Sequence, residues 1–129
     1  MPSLDTNGVL RWLMGDVPDQ AAAVDAALAT GTKFHLDDIV LVEVVYALEH
    51  HYLLSRPTTA ASLQTVMGQA GFLLDRPLWS EVLPVYIAKP KLSLVDILTV
   101  ERARRTGRTP VAIFDRKMAS QLKDVELLS

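Results

Sequence analysis

Along most of the chain, apolar residues recur about every 3.6 positions, and short β-branched or aromatic runs interrupt them. The opening PSLDTN ends in turn-forming and capping residues and leads into GVLRWLM, which predicts a brief strand running into a helix with Asp5 at the junction. Asp19 to Thr30 is Ala-rich with helical spacing, and Gly31 follows as a stop. Phe34 to Leu36 predicts a two- or three-residue strand, with Asp37 and Asp38 where an N-cap belongs. The segment DIVLVEVVYALEHHYLL pulls both ways: its β-branched residues favour a strand, whereas its length without Gly or Pro favours a helix. Length decides for the helix.

Further on, Pro57 opens a helical run that Gly71 can end before the apolar FLL. Pro77, at a first helical position, opens LWSEVLPVYIA, which Pro84 should bend or break. Ser93 to Thr106 predicts a helix stopped by Gly107, followed by a buried strand VAIF, a short helix RKMASQL and an edge strand VELL. Short strands alternating with helices imply right-handed crossovers and a parallel sheet covered on both faces. With 129 residues, the expectation is one domain over 1–129, without repeats, linkers or low-complexity segments.

Composition narrows the function classes. Half the residues are hydrophobic and 22% are charged, which excludes the charge-rich composition of disordered chains. Cysteine is absent, which excludes disulfides and thiolate chemistry. The N-terminus lacks a basic region followed by a long apolar stretch, and there is no long charge-free apolar run; the expectation is a soluble cytoplasmic protein with no membrane association. The net charge of −2 argues against a surface wholly devoted to nucleic acid, but the charges are unevenly spread. Residues 1–50 carry eight acids and two bases, whereas six of the thirteen basic residues lie between Arg102 and Lys117.

Four acids carry the candidate chemistry. Asp5 and Asp115 follow expected strands, where α/β sheets bind ligands, yet Asp is also a favoured helix cap. Asp96 fits an S-x-x-D capping box with Ser93. Glu43 is the one polar residue between Ile39 and Leu48. Either it faces the core and demands a cation or another partner, or it lies on a narrow solvated stripe with His50. Four carboxylates meeting at one sheet edge would repel one another, and Mg²⁺ or Mn²⁺ is the natural compensation. Such a site can activate water for phosphodiester hydrolysis.

LDTNGVLRWL resembles the opening of PIN domains, VLVEVVYALEHHYLLSR the following helix of VapC-type toxins, and KLSLVDILTVERARRTGRTPVAIFDRKMA their C-terminal block. The resemblance runs in order along nearly the whole chain and puts the family's four acids on Asp5, Glu43, Asp96 and Asp115. It implies a three-layer α/β/α fold with a central parallel sheet of four or five short strands, Mg²⁺- or Mn²⁺-dependent endoribonuclease activity on an RNA substrate, homodimers, and a cognate antitoxin as partner. It also places Asn7 where a polar residue helps order the site. One departure is Ile113, where the family commonly has Thr or Ser two residues before the fourth acid; the hydroxyl of Thr6 is a candidate substitute.

Arg116 and Lys117, beside Asp115, are the basic residues best placed to meet an RNA backbone. Most of the run Arg102, Arg104, Arg105 and Arg108 reads as a solvated helix face with a cationic C-terminus. Trp12, Trp79, Tyr46 and Tyr52 read as core or dimer-contact residues, and His35, His50 and His51 form no recognised ligand motif. Two rival readings remain. A catalytically silent PIN-like binding module is kept open by Ile113. A receiver-like signalling domain is suggested by Lys89-Pro90, but it wants paired acids after the first strand, and Asp75 is a poor phospho-acceptor.

Overall fold

The computed structural model describes residues 1–128 and is a mixed α/β structure. Its internal contacts divide it into two compact units, Met1–Asp75 and a second that begins at Arg76.

In the first unit, α1 (Thr6–Met14) starts where Asp5 caps it and stops at Gly15, whose φ of 63° is the left-handed conformation a glycine adopts without steric cost. Helix α2 (Pro18–Ala29) begins on a proline, which lacks the N–H that a first turn leaves unpaired. Asp37 caps α3 (Asp38–His50), so length correctly outweighed β-branching there, and Ser55 caps α4 (Arg56–Met67). The helix α4 ends at Gly68 rather than Gly71, and the apolar FLL beyond supplies a strand, β2 (Phe72–Leu73), parallel to β1 (Phe34–His35). The Gly71 carbonyl accepts from the Phe34 N–H, and a β-carbon there would push aside the tip of the Leu28 side chain. The expected N-terminal strand reduces to a parallel bridge between Ser3 and His35. Around these pieces, Val9, Leu41, Val44, Leu48, Leu63, Val66 and Phe72 are buried, and the edge of the Trp12 ring meets Phe72 with centroids 4.9 Å apart.

The second unit opens with α5 (Arg76–Ala88), which passes through Pro84 without interruption. Pro84 is exposed, and its neighbours Val82, Leu83 and Tyr86 are buried, so packing of one face holds the helix where local propensity would end it. Ser93 caps α6 (Leu94–Arg105). After a cis Thr109–Pro110 bond come β3 (Val111–Ile113), α7 (Arg116–Gln121) and β4 (Val125–Leu127), with β3 and β4 paired in parallel. Leu78, Trp79, Leu92, Ile97, Val100 and Met118 are buried. β3 itself is not the buried strand expected of VAIF. Val111 and Ile113 are half-buried, Ala112 is exposed and Phe114 is 77% exposed, the alternation of a strand covered on one face only.

The parallel direction of the pairs agrees with the sequence, but the sheet of four or five strands does not form among the described residues. Two separate two-stranded sheets stand in its place. Strands of two or three residues make only two or three paired positions each, so the apolar pattern marks them without specifying a shared sheet. Among the described residues, no helix is long and apolar enough to cross a membrane.

Candidate active site

Asp5 lies directly after the bridged N-terminal segment, whose Leu4 N–H donates to the His35 carbonyl. Its backbone is extended, and Oδ1 accepts from the Gly8 N–H at 2.8 Å. A β-carbon at Gly8 would press on the Leu4 side chain and sit 3.2 Å from Asp5 Oδ1, so glycine leaves room on that side of the turn. The sequence reading passed over that glycine, and the only signal for it was its place in the first turn after D-T-N. Thr6, half-buried, and Asn7, exposed, are the first two residues of α1.

Asp115 repeats the arrangement in the second unit. It follows β3, caps α7, and accepts on Oδ1 from the N–H groups of Lys117 at 2.8 Å and Met118 at 3.2 Å. For both residues the capping role is therefore real. It engages one oxygen, and no other hydrogen bond or ion pair to either side chain occurs among the described residues. The second carboxylate oxygen of each stays available.

Asp96 forms half of the expected capping box. Its N–H donates to Ser93 Oγ at 3.1 Å, but its half-exposed carboxylate makes no return bond to the Ser93 N–H among the described residues. The carboxylate is thus free of the structural duty that the sequence suggested for it.

Glu43 decides between its two readings. It is exposed, on a stripe with Ile39, Tyr46 and His50 at intervals of four, three and four residues, while Leu41, Val44, Val45 and Leu48 fill the buried face of α3. The core-facing reading falls, and with it the desolvation that would have required a cation. A stripe carrying Ile39 and Tyr46 looks apolar in sequence, which is why burial was plausible. Tyr46, 64% exposed and against the His50 ring at 4.4 Å, is not a core residue, whereas Trp79 is fully buried.

The units divide the four acids, Asp5 and Glu43 in the first and Asp96 and Asp115 in the second. Among the described residues there is no group of three or more His, Asp or Glu side chains placed to hold a metal ion. His35, His50 and His51 are all exposed. Of the basic residues beside the fourth acid, Arg116 and Lys117 are exposed. Ile113, in β3, is half-buried and accepts on its carbonyl from Leu128.

Other polar side chains are structural. Tyr52 donates to Asp16 Oδ2 at 2.7 Å, and Arg11 reaches Asp16 Oδ1 at 3.0 Å and the Tyr52 hydroxyl at 3.3 Å. The hydrogen bond from Tyr52, helped by Arg11, holds the Asp16 carboxyl below its ordinary range despite desolvation. The same bond raises the Tyr52 hydroxyl. In the second unit, desolvation pulls the Arg104 guanidinium down, but bonds to Asp124 and Glu101 outweigh it and the net direction is up.

Mixed α/β units with carboxylates capping helices after short parallel-paired segments define a class of protein by fold alone. The chain is 26% identical over 121 residues to the VapC ribonuclease of Aquifex aeolicus (strain VF5), covering 91% of this chain and 89% of the relative. That likeness supports a relationship to the VapC, PIN-like family and nothing narrower. No family model matches the chain. No solved structure matches it either.

Proposed function

We propose that the chain is a metal-dependent endoribonuclease, the toxin of a toxin–antitoxin pair, hydrolysing RNA phosphodiesters. The observation that carries this reading is the repeated placement of a carboxylate past a parallel-paired segment, a single bridge before Asp5 and β3 before Asp115, each with one oxygen left over from capping. A chain-long likeness to a VapC ribonuclease supports the same reading.

The donor set of Asp5, Glu43, Asp96 and Asp115 is all carboxylate oxygen, the chemistry that hard cations such as Mg²⁺ or Mn²⁺ prefer; Asp5, Glu43 and Asp115 are exposed and Asp96 is partly buried. No group of three or more possible ligands forms among the described residues, while the family resemblance assigns these four residues to the ion. When bound, it supplies Lewis acidity and lowers the pKa of water. The chain's own contribution is orientation: the N–H groups of Gly8, Lys117 and Met118 fix one oxygen of Asp5 and of Asp115, and so set the direction of the other. Thr6 and Asn7 flank Asp5 and order its turn, and Arg116 and Lys117 stand beside Asp115 to meet the RNA backbone. A homodimer and a cognate antitoxin complete the proposal.

The test is cleavage of structured and single-stranded RNAs with Mn²⁺ by the wild-type protein and by Asp5→Asn and Asp96→Asn. Each substitution should reduce cleavage by roughly 100-fold or more, the scale of losing several kcal/mol of charge stabilisation. Cleavage that survives both would sink the carboxylate mechanism. Ile113, which offers no hydroxyl beside the fourth acid, favours the silent binding module as the second reading; metal and RNA binding without cleavage would support it.

A further inference from the structure

Among the Phe, Tyr and Trp residues, two are exposed: Tyr46 and, at 77%, Phe114. Tyr46 lies against the His50 ring, whereas Phe114 has no ring contact among the described residues. The strand pair sets that ring in solvent. Val111 and Ile113 turn to the half-buried side of β3, so Ala112 and Phe114 share its open face, and Ala112 offers only a methyl group to cover the ring. Below it, the Ile113 carbonyl is held by the Leu128 N–H at 2.7 Å.

A single exposed apolar residue is ordinary on a protein surface; the three residues that follow this one set it apart. Asp115, Arg116 and Lys117 are all exposed. Asp115 keeps one oxygen beyond its cap, and the side chains of Arg116 and Lys117 make no hydrogen bond or ion pair among the described residues. Consecutive Cα atoms are ~3.8 Å apart, so a flat apolar face, a carboxylate oxygen and two cations stand within a short stretch of chain.

That combination favours one kind of occupant. A protein partner covering Phe114 would have to desolvate the two cations beside it, whereas a nucleotide has a complement for each part, a base face for the ring and a phosphate for the cations. Glu126, exposed opposite Ala112 on β4, would repel a phosphate, which leaves the side of Arg116 and Lys117 for the backbone of the strand. We propose that Phe114 is a stacking platform for one unpaired nucleobase of RNA beside the cleaved position, with the adjoining phosphate on Arg116 and Lys117. A base inside a duplex has both faces covered by its neighbours and cannot receive the ring, so the chain favours single strands. That the stacked base adjoins a cleaved position rests on the ribonuclease reading; the stacking does not.

The experiment is fluorescence anisotropy of a labelled oligoribonucleotide, single-stranded or annealed to its complement, with the full chain in EDTA across a salt series. Phe114→Ala and Phe114→Leu should each weaken single-strand binding by roughly 5- to 150-fold, the range for loss of one stacked base, with duplex affinity and salt slope unchanged. Phe114→Trp should keep or raise the wild-type affinity. Arg116→Gln with Lys117→Gln should instead lower the salt slope by about one or more. Urea midpoints of the Phe114 variants should match the wild type, and a large fall would place the ring in the fold and overturn the proposal. Wild-type affinity in Phe114→Leu would overturn it by reducing the ring to an apolar contact. Equal losses on single strand and duplex, or failure of the wild-type chain to bind single strands, would do the same. An unchanged salt slope in the paired Arg116 and Lys117 variant would remove the phosphate contact. Unchanged RNA binding with an altered sedimentation coefficient in Phe114→Ala would overturn the proposal and assign the ring to an interface between copies. Stacking by a protein that cuts no RNA would retain the role of Phe114 and reject the ribonuclease reading; cleavage with unaltered single-strand binding in Phe114→Ala would do the reverse.

Discussion

Asp5 and Asp115 each do two jobs with one carboxylate, and substitution can separate them. Asn caps a helix about as well as Asp but carries no charge, so Asp5→Asn should keep the fold, whereas Asp5→Ala should also lose about 1 kcal/mol of stability with the Gly8 bond. Urea titrations of the two variants compare them directly, and equal destabilisation would show that charge rather than capping is what Asp5 contributes to folding. A second residue gives a prediction of the opposite sign. Thr59 is fully buried in α4, and its hydroxyl has no hydrogen-bond partner among the described residues. An unsatisfied buried hydroxyl costs about 1–3 kcal/mol, so Thr59→Val, which nearly preserves shape, should raise the urea midpoint at constant m by about 1 kcal/mol equivalent. A drop in midpoint would mean that the hydroxyl is satisfied in solution.

Between elements of the first unit, the Arg11, Asp16 and Tyr52 cluster ties the loop after α1 to the end of α3. Because the folded Asp16 pKa is depressed, its stabilisation is full above the ordinary value of 3.8 and is lost as pH falls through the lower folded value. Because the folded Tyr52 pKa is raised, its stabilisation is full below 10.0 and is lost as pH rises through the higher folded value. Tyr52→Phe should therefore destabilise the protein at neutral pH and flatten its stability profile at both extremes, measured as thermal midpoint against pH; a wild-type-like profile would place the pH dependence elsewhere. The cluster was not legible in sequence because Tyr52 and Asp16 are 36 residues apart, and the distance between them closes only when α1 packs on α3. The caps Asp5, Asp37, Ser93 and Asp115 were legible, since they act on N–H groups two or three residues away, whereas Ser55, one residue before Arg56 and two before Pro57, was passed over. Pro84 was misread because a local rule competes with burial of Val82, Leu83 and Tyr86 on the same helix.

For the whole molecule, the metal proposal predicts a ligand-linked gain in stability. Mn²⁺ or Mg²⁺ at ~100 times its dissociation constant should stabilise the fold by about 2.7 kcal/mol, and the gain should vanish in Asp5→Asn and Asp96→Asn. Calorimetry with and without EDTA measures it; an equal shift in the variants would indicate nonspecific cation binding. Asp5 lies in the first unit and Asp96 in the second, so the two variants test one carboxylate from each.

Local chemistry was set by the sequence: where helices start, which residues cap them, which short segments are extended, and which acids stand past a strand. These depend on neighbours within a few residues. Tertiary structure decided what depends on distant packing. It placed Glu43 on the solvated face of α3, left the Asp96 carboxylate free of its capping box, and paired the strands two by two. It also drew Arg104 and Arg105 into ion pairs with Glu101 and Asp124, because a charge's role is fixed by which groups the fold brings within about 4 Å of it.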